Sequence, residues 1–340
     1  MNSFELIPTE ENLIHTLDKD LLKRNKDLVR FYDLILAQEG DSSIAIDGRW
    51  GSGKTFFVKQ SMLLINAKNP MSDMDDEKKA SIVYALPFPK KAEDMSENYD
   101  VAVYYDAWEN DNDTDPVFSL VYEIIKQLGI NYAFDYNSNA FKLAGSVLEA
   151  LTGRNINGII EKLKSDNPLT KIKEEKDLHE NIKNFFTELL VERGNRLVVF
   201  IDELDRCKPS YAVQLLERIK HYLYDDRITF VFSVNLGELQ HTIKHYYGNT
   251  FDACRYLDRF FDMRISLPPA DKTAFYREMG LESSYVLEKI CRKVIDTYNM
   301  ELREATRFYR QVKTAAYEPT HESKKFDFSF SDGKGRQLLL

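Results

Sequence analysis

Three cysteines in 340 residues, Cys207, Cys254 and Cys291, are too few and too scattered for a disulfide framework or a zinc site. Reduced thiols, as in a cytosolic protein, are the expectation. The six histidines bring no Ser-His-Asp set, nuclease cluster or further metal motif with them. An excess of positive charge is missing too. Lys and Arg total 46 against 55 Asp and Glu, a net charge of −9. Such a balance gives no overall electrostatic reason to bind nucleic acid or an anionic membrane, and leaves only a local basic groove open. No apolar run approaches the roughly 20 residues a bilayer span needs, the longest near-apolar stretch lying over 143–151. The first five residues lack the basic start and apolar core of a signal peptide. No internal repeat is present. A chain that is 43% hydrophobic and 30% charged is globular rather than disordered. The expectation is a soluble, cytoplasmic protein.

The pattern along the chain alternates. Apolar residues at helical spacing over 10–39 predict one or two helices ahead of the core. Strands are predicted at 44–47, 101–105, 197–201 and 228–234, with helices at about 54–68, 116–128 and 211–224. Residues 69–98 read as a surface excursion, and 129–193 as a helical insertion broken by Gly153, Gly158 and Asn167–Pro168. From 271 to about 313 the pattern is helical without strands, and the polar end from 317 reads as loose. Strands separated by helices imply a three-layer α/β fold with a mostly parallel sheet. The division that follows is a P-loop NTPase core over 1–270 and a C-terminal helical lid or subdomain over 271–340.

Between the first strand and its helix, residues 48–55 satisfy G-x-x-x-x-G-K-[ST] in full. Gly48, Gly51 and Gly53 permit positive φ, so that backbone N–H groups can point at a phosphate. Lys54 supplies a cation for the β and γ phosphates, Thr55 a hydroxyl for Mg2+, and the following helix its positive end. The expected nucleotide contacts are Gly48, Trp50, Gly51, Ser52, Gly53, Lys54, Thr55 and Phe56. The bland alternative is a glycine-rich turn that binds nothing.

A second acid is needed at a neighbouring strand end, and the strand at 197–201 delivers Asp202 there for Mg2+. Glu203 follows, placed to polarise the attacking water, or else the acidic run 202–206 merely caps the next helix. Asn235 at the tip of the next strand can touch the γ-phosphate or cap the helix behind it. The cation that completes the site is sought among Arg255, Arg259, Arg303 and Arg307, each as readily a surface residue, and one pair could act from a neighbouring subunit. Trp108 either stacks on a partner or fills the edge of the core.

With these segments in order (48–55, 103–108 with 118–125, 198–207, 230–239, 246–248 and 256–268), the sequence resembles the KAP family of P-loop NTPases over about residues 20–315. The resemblance implies nucleotide and Mg2+ roles for Lys54, Thr55, Asp202 and Glu203, and places Asp205 and Arg206 in the family's extended acidic motif. It sets the stretch 302–308 where related NTPases carry a second sensor arginine. Glu203 stands where many members have aspartate, as does Asn235. Many members insert transmembrane helices between the two nucleotide motifs; here 129–193 is polar enough that no membrane role carries over. Bacterial members are often tied to phage defence, which is the context the resemblance implies. The leading reading is an ATP-dependent switch or assembly module that self-associates or engages a protein effector. The alternatives are a nucleotide-gated scaffold with little hydrolysis and a DNA-stimulated ATPase. The guanine-reading N-K-x-D motif is absent after the acidic strand, which favours ATP over GTP.

Overall fold

The computed structural model describes residues 7–38, 42–88, 99–128, 186–187, 190, 194–223, 225–281, 285–316, 329–331 and 337–339. Almost all of the expected insertion at 129–193 lies outside the described residues.

The core is a sheet of five parallel strands: β1 (Ser42–Asp47), β2 (Asp100–Asp106), β3 (Arg196–Asp202), β4 (Ile228–Val234) and β5 (Met263–Ser266). Their order is β2-β3-β4-β1-β5. β3 and β4 are buried along their whole length, as central strands covered on both faces must be. Alternate residues feed opposite layers. Val199 and Ile201 join one apolar cluster with α5 (Pro116–Gln127), α6 (Pro209–Tyr222), α7 (Leu236–Tyr247) and α8 (Ala253–Leu257). Val198 and Phe200 join the other, with α1 (Glu10–Lys19), α2 (Asn25–Leu36), α3 (Lys54–Lys68) and α4 (Asp76–Tyr84). Phe186 and Leu190 are buried in the first cluster.

The edge strand β2 is blunted by side-chain amides. Asn66 accepts from Ala102 N–H and donates to its carbonyl, and Gln127 does the same at Tyr104. At the strand starts, Arg196 donates to Asp100 Oδ2 at 2.7 Å and to the carbonyls of Ile35 and Gln38 at 2.6 and 2.9 Å. Both members of this pair are buried. Arg196→Ala would strand the Asp100 carboxylate without its cation, and a loss of about 3–5 kcal/mol in chemical denaturation is expected.

Three expectations need correction. Residues 69–98 are not only a surface excursion: α4 carries Ile82 into the core, and Leu86 follows it. The short edge strand β5 was not expected, because its inward and outward residues (Met263, Arg264, Ile265, Ser266) give too brief an alternation to stand out. The tail is not wholly loose. β6 (Ser329–Ser331) and β7 (Gln337–Leu339) pair antiparallel, in line with a period of two that the sequence carries at Phe326, Phe328 and Phe330.

Helices α9 (Lys272–Glu278), α10 (Val286–Thr297) and α11 (Leu302–Ala316) bury a cluster of their own around Phe275, Met279, Ile295 and Phe308. Leu22, from the turn after α1, is part of that cluster.

Candidate nucleotide site

Parallel strands place their C-terminal ends on one edge, and the register aligns Asp47 with Val234, Ser233 with Asp202, and Asp202 with Asp106. Since β4 lies between β1 and β3, its tip at Asn235 separates the glycine loop from the acidic strand end. The loop leaves β1 with Gly48 N–H donating to the Val234 carbonyl at 3.1 Å. Gly51 and Gly53 hold φ of +80° and +91°, a backbone that side chains disfavour. Gly48 does not share that conformation. It is needed for space, since a Cβ there would stand 3.0 Å from Ser52 Oγ and 3.2 Å from Lys54 Cγ. Gly53 ends in the N-cap position of α3, so the helix's positive end faces the loop.

Lys54 is buried, with Nζ donating to the Gly48 carbonyl at 2.6 Å and the Arg49 carbonyl at 3.3 Å. Across from it, Thr55 Oγ1 donates to Asp202 Oδ2 at 2.7 Å, and the buried Asp202 also accepts from Tyr104 OH at 3.1 Å. The Ser52 hydroxyl is buried with no hydrogen-bond partner in the protein. A glycine cradle, a buried cation, an orphan hydroxyl and a hydroxyl–carboxylate pair suit a phosphate chain with Mg2+. That ion usually takes one or two carboxylates plus phosphate oxygens and water. Among the described residues no group of three or more His, Cys, Asp or Glu converges as a dedicated metal cage.

A family model for the KAP family P-loop domain matches residues 28–318. This chain belongs to the KAP P-loop family. No curated protein matches it. No described helix is long and apolar enough to cross a membrane.

In this KAP domain the acidic end of β3 is crowded. Glu203 sits at φ +60°, donates its N–H to Asp202 Oδ1 at 3.0 Å, and pairs with Arg206. Burial and the neighbouring Asp202 carboxylate push the Glu203 carboxyl up to about 7. Asp205 is also raised by burial, although it accepts from Trp50 Nε1 at 2.6 Å and from the Asn235 backbone N–H. Lys54 is lowered by burial, with Asp205, Asp202 and Glu203 opposing that shift.

The remaining expected residues fall in three places. Asn235 sits between the two motifs, but its side chain accepts from Glu238 N–H at 3.4 Å and caps α7. Phe56 packs, partly buried, against the apolar cluster that includes α3. The arginines divide. The start of α11 packs on the loop, so that a Cβ on Gly51 would be 3.1 Å from Arg303 Cβ; Arg307 lies one turn further on and is exposed. Arg259 is exposed at the other end of the sheet, where its carbonyl accepts from Lys220 and Ser43 at the start of β1 bonds the neighbouring Phe260 and Asp262. The structure does not bring Arg259 to this chain's own loop. Arg255, on α8, is exposed.

Two neighbours of the motifs were given no role in the sequence reading. Tyr104 reaches Asp202 from β2, and only the strand register could have suggested it. Arg24 is buried behind the loop, donating to the Ser52 carbonyl at 2.9 Å and the Pro268 carbonyl at 2.5 Å, and burial lowers its pKa to about 10. No local signal marks a residue whose partner is more than two hundred positions away.

Proposed function

We propose that this KAP protein is a Mg2+-dependent ATP hydrolase working as a nucleotide-driven switch or assembly module. The observation that carries the reading is the pairing, at one strand end, of Asp202 hydrogen-bonded to Thr55 with the half-buried Glu203 beside it. Thr55 and Asp202 would hold Mg2+, which supplies charge neutralisation across the β and γ phosphates. Lys54 exchanges its loop carbonyls for phosphate oxygens. The Glu203 carboxylate orients a water and takes its proton. The water oxygen forms a bond to the γ phosphorus as the bond to the β–γ bridging oxygen breaks, and the proton passes from Glu203 to solvent.

Self-association gains support from Arg259, whose exposed position at the far end of the sheet suits it to a neighbour's site and not its own. Arg303, set against the loop, is the better placed of the two C-terminal arginines to answer nucleotide in cis, and Arg307 is then left facing solvent. The nearby lid of α9–α11 would report occupancy to a protein effector.

The second reading, a nucleotide-gated scaffold with little hydrolysis, is favoured by the Glu203–Arg206 pair, which occupies the carboxylate the reaction needs. A pH series of steady-state phosphate release separates the two. A carboxyl raised to about 7 is protonated below that pH and inactive as a base. The kcat/KM for ATP should therefore rise about tenfold per unit up to about 7 and then level. An ordinary glutamate would place that limb near 4.3. No phosphate release from the wild-type chain at any pH would leave only the scaffold.

A further inference from the structure

We propose that Arg206 is a positioning residue for Glu203, and that Trp50 couples its grip to phosphate at the loop. The proposal rests on the reading of Glu203 as the base. The chain has two tryptophans, Trp50 and Trp108, and the Arg206 guanidinium lies 5.6 Å from the centroid of each ring. That distance is within cation–π range. Both indoles are largely exposed, at 44% and 53%, so neither is explained as core packing. Arg206 is the residue they share, and its other partner is the Glu203 carboxylate.

The two rings are anchored differently. Trp108 follows β2, where Asp106 Oδ1 accepts from the N–H groups of Trp108 and Glu109 at 3.1 and 3.0 Å. Its backbone is tied to the sheet edge. Trp50 belongs to the glycine loop itself, between Arg49 and Gly51, and its Nε1 bonds Asp205, the residue before Arg206. One wall of the guanidinium is therefore fixed and the other moves with the loop. Lys54 presently donates to the carbonyls of Gly48 and Arg49, immediately before Trp50. Phosphate oxygens compete for that ammonium, and the carbonyls that lose it reorient with the peptide leading into Trp50. Displacing Trp50 removes one wall and the Asp205 bond together, which loosens Arg206 and frees Glu203 to face water. Phosphate arrival and base release become a single event.

The full chain labelled with 5-fluorotryptophan gives two fluorine resonances, assigned with Trp108→Phe. The probe is the β,γ-imido analogue of ATP with Mg2+. Both resonances should shift on its addition in the wild type. In Arg206→Gln, Trp50 should still respond while Trp108 does not; Arg206→Lys, which keeps the charge without the plane, should restore part of the Trp108 shift. Turnover of Arg206→Gln should rise about fivefold with KM within a factor of two, as expected for loss of a partly buried ion pair. A Trp108 resonance that is unmoved in the wild type, or that moves equally in Arg206→Gln, overturns the coupling, as does a fall in turnover. If neither resonance responds, nucleotide does not reach the loop, and the hydrolase reading falls with the proposal.

Discussion

Lys54→Ala is expected to weaken binding of Mg2+-ATP by about 100-fold or more and to reduce phosphate release to background. The ammonium is the one lysine cation within the loop, and it would make two charge-assisted hydrogen bonds that water cannot replace in a buried cradle. Such bonds are worth about 1.5–3 kcal/mol each. The variant should still fold. Burial already disfavours the Lys54 ammonium, and its hydrogen bonds within the protein go to the carbonyls of Gly48 and Arg49. Titration calorimetry against Mg2+-ATP, with a thermal melt as control, checks both halves. Retained micromolar binding with a normal melt would mean that the loop grips phosphate without its lysine.

Glu203→Gln should separate chemistry from binding. The amide keeps the shape of the side chain but cannot accept a proton, so turnover is expected to fall by about 100- to 10,000-fold. Affinity for Mg2+-ATP should stay within a few-fold of wild type, because Thr55, Asp202 and Lys54 are untouched. The raised carboxyl of Glu203 also makes the acid limb of the pH profile disappear in this variant. Quench-flow measurement of a single turnover alongside equilibrium binding provides the check. Equal turnover in the two proteins would remove Glu203 from the chemistry and point to another acid at the β3 end. The substituted chain, holding ATP without cleaving it, is also the form in which a partner would be captured.

Much of this site was legible because its parts are local. The loop at 48–55 is contiguous, its strand and helix flank it directly, and Asp202 closes the most apolar strand in the chain. What escaped depends on contacts between distant segments. Strand order is invisible to a periodicity, so the insertion of β4 between the loop and Asp202, and the approach of Tyr104 from β2, had to come from the fold. Gly48 looked like a conformational glycine and proved to be a spatial one, because the crowding comes from Ser52 and Lys54 folding back over it. Asn235 offered two uses for one amide, and the N–H of Glu238 occupies it. Arg259 sits close in sequence to the β5 edge yet at the wrong end of the strands for its own loop, a distinction no spacing encodes.

The place of Leu22 and Arg24 bears on where this chain can be cut. The family match begins at residue 28, inside α2, yet the α1 side chains Leu13 and Leu17 are buried in the sheet-face cluster that includes α3. Leu22 completes the C-terminal cluster, its carbonyl accepts from Asp271 N–H at 3.1 Å, and Arg24 ties Ser52 to Pro268. A fragment trimmed to the matched span would keep every nucleotide motif and lose the clasp between the loop and the C-terminal helices. The smallest unit that keeps the loop tied to the C-terminal helices is thus longer than the matched span.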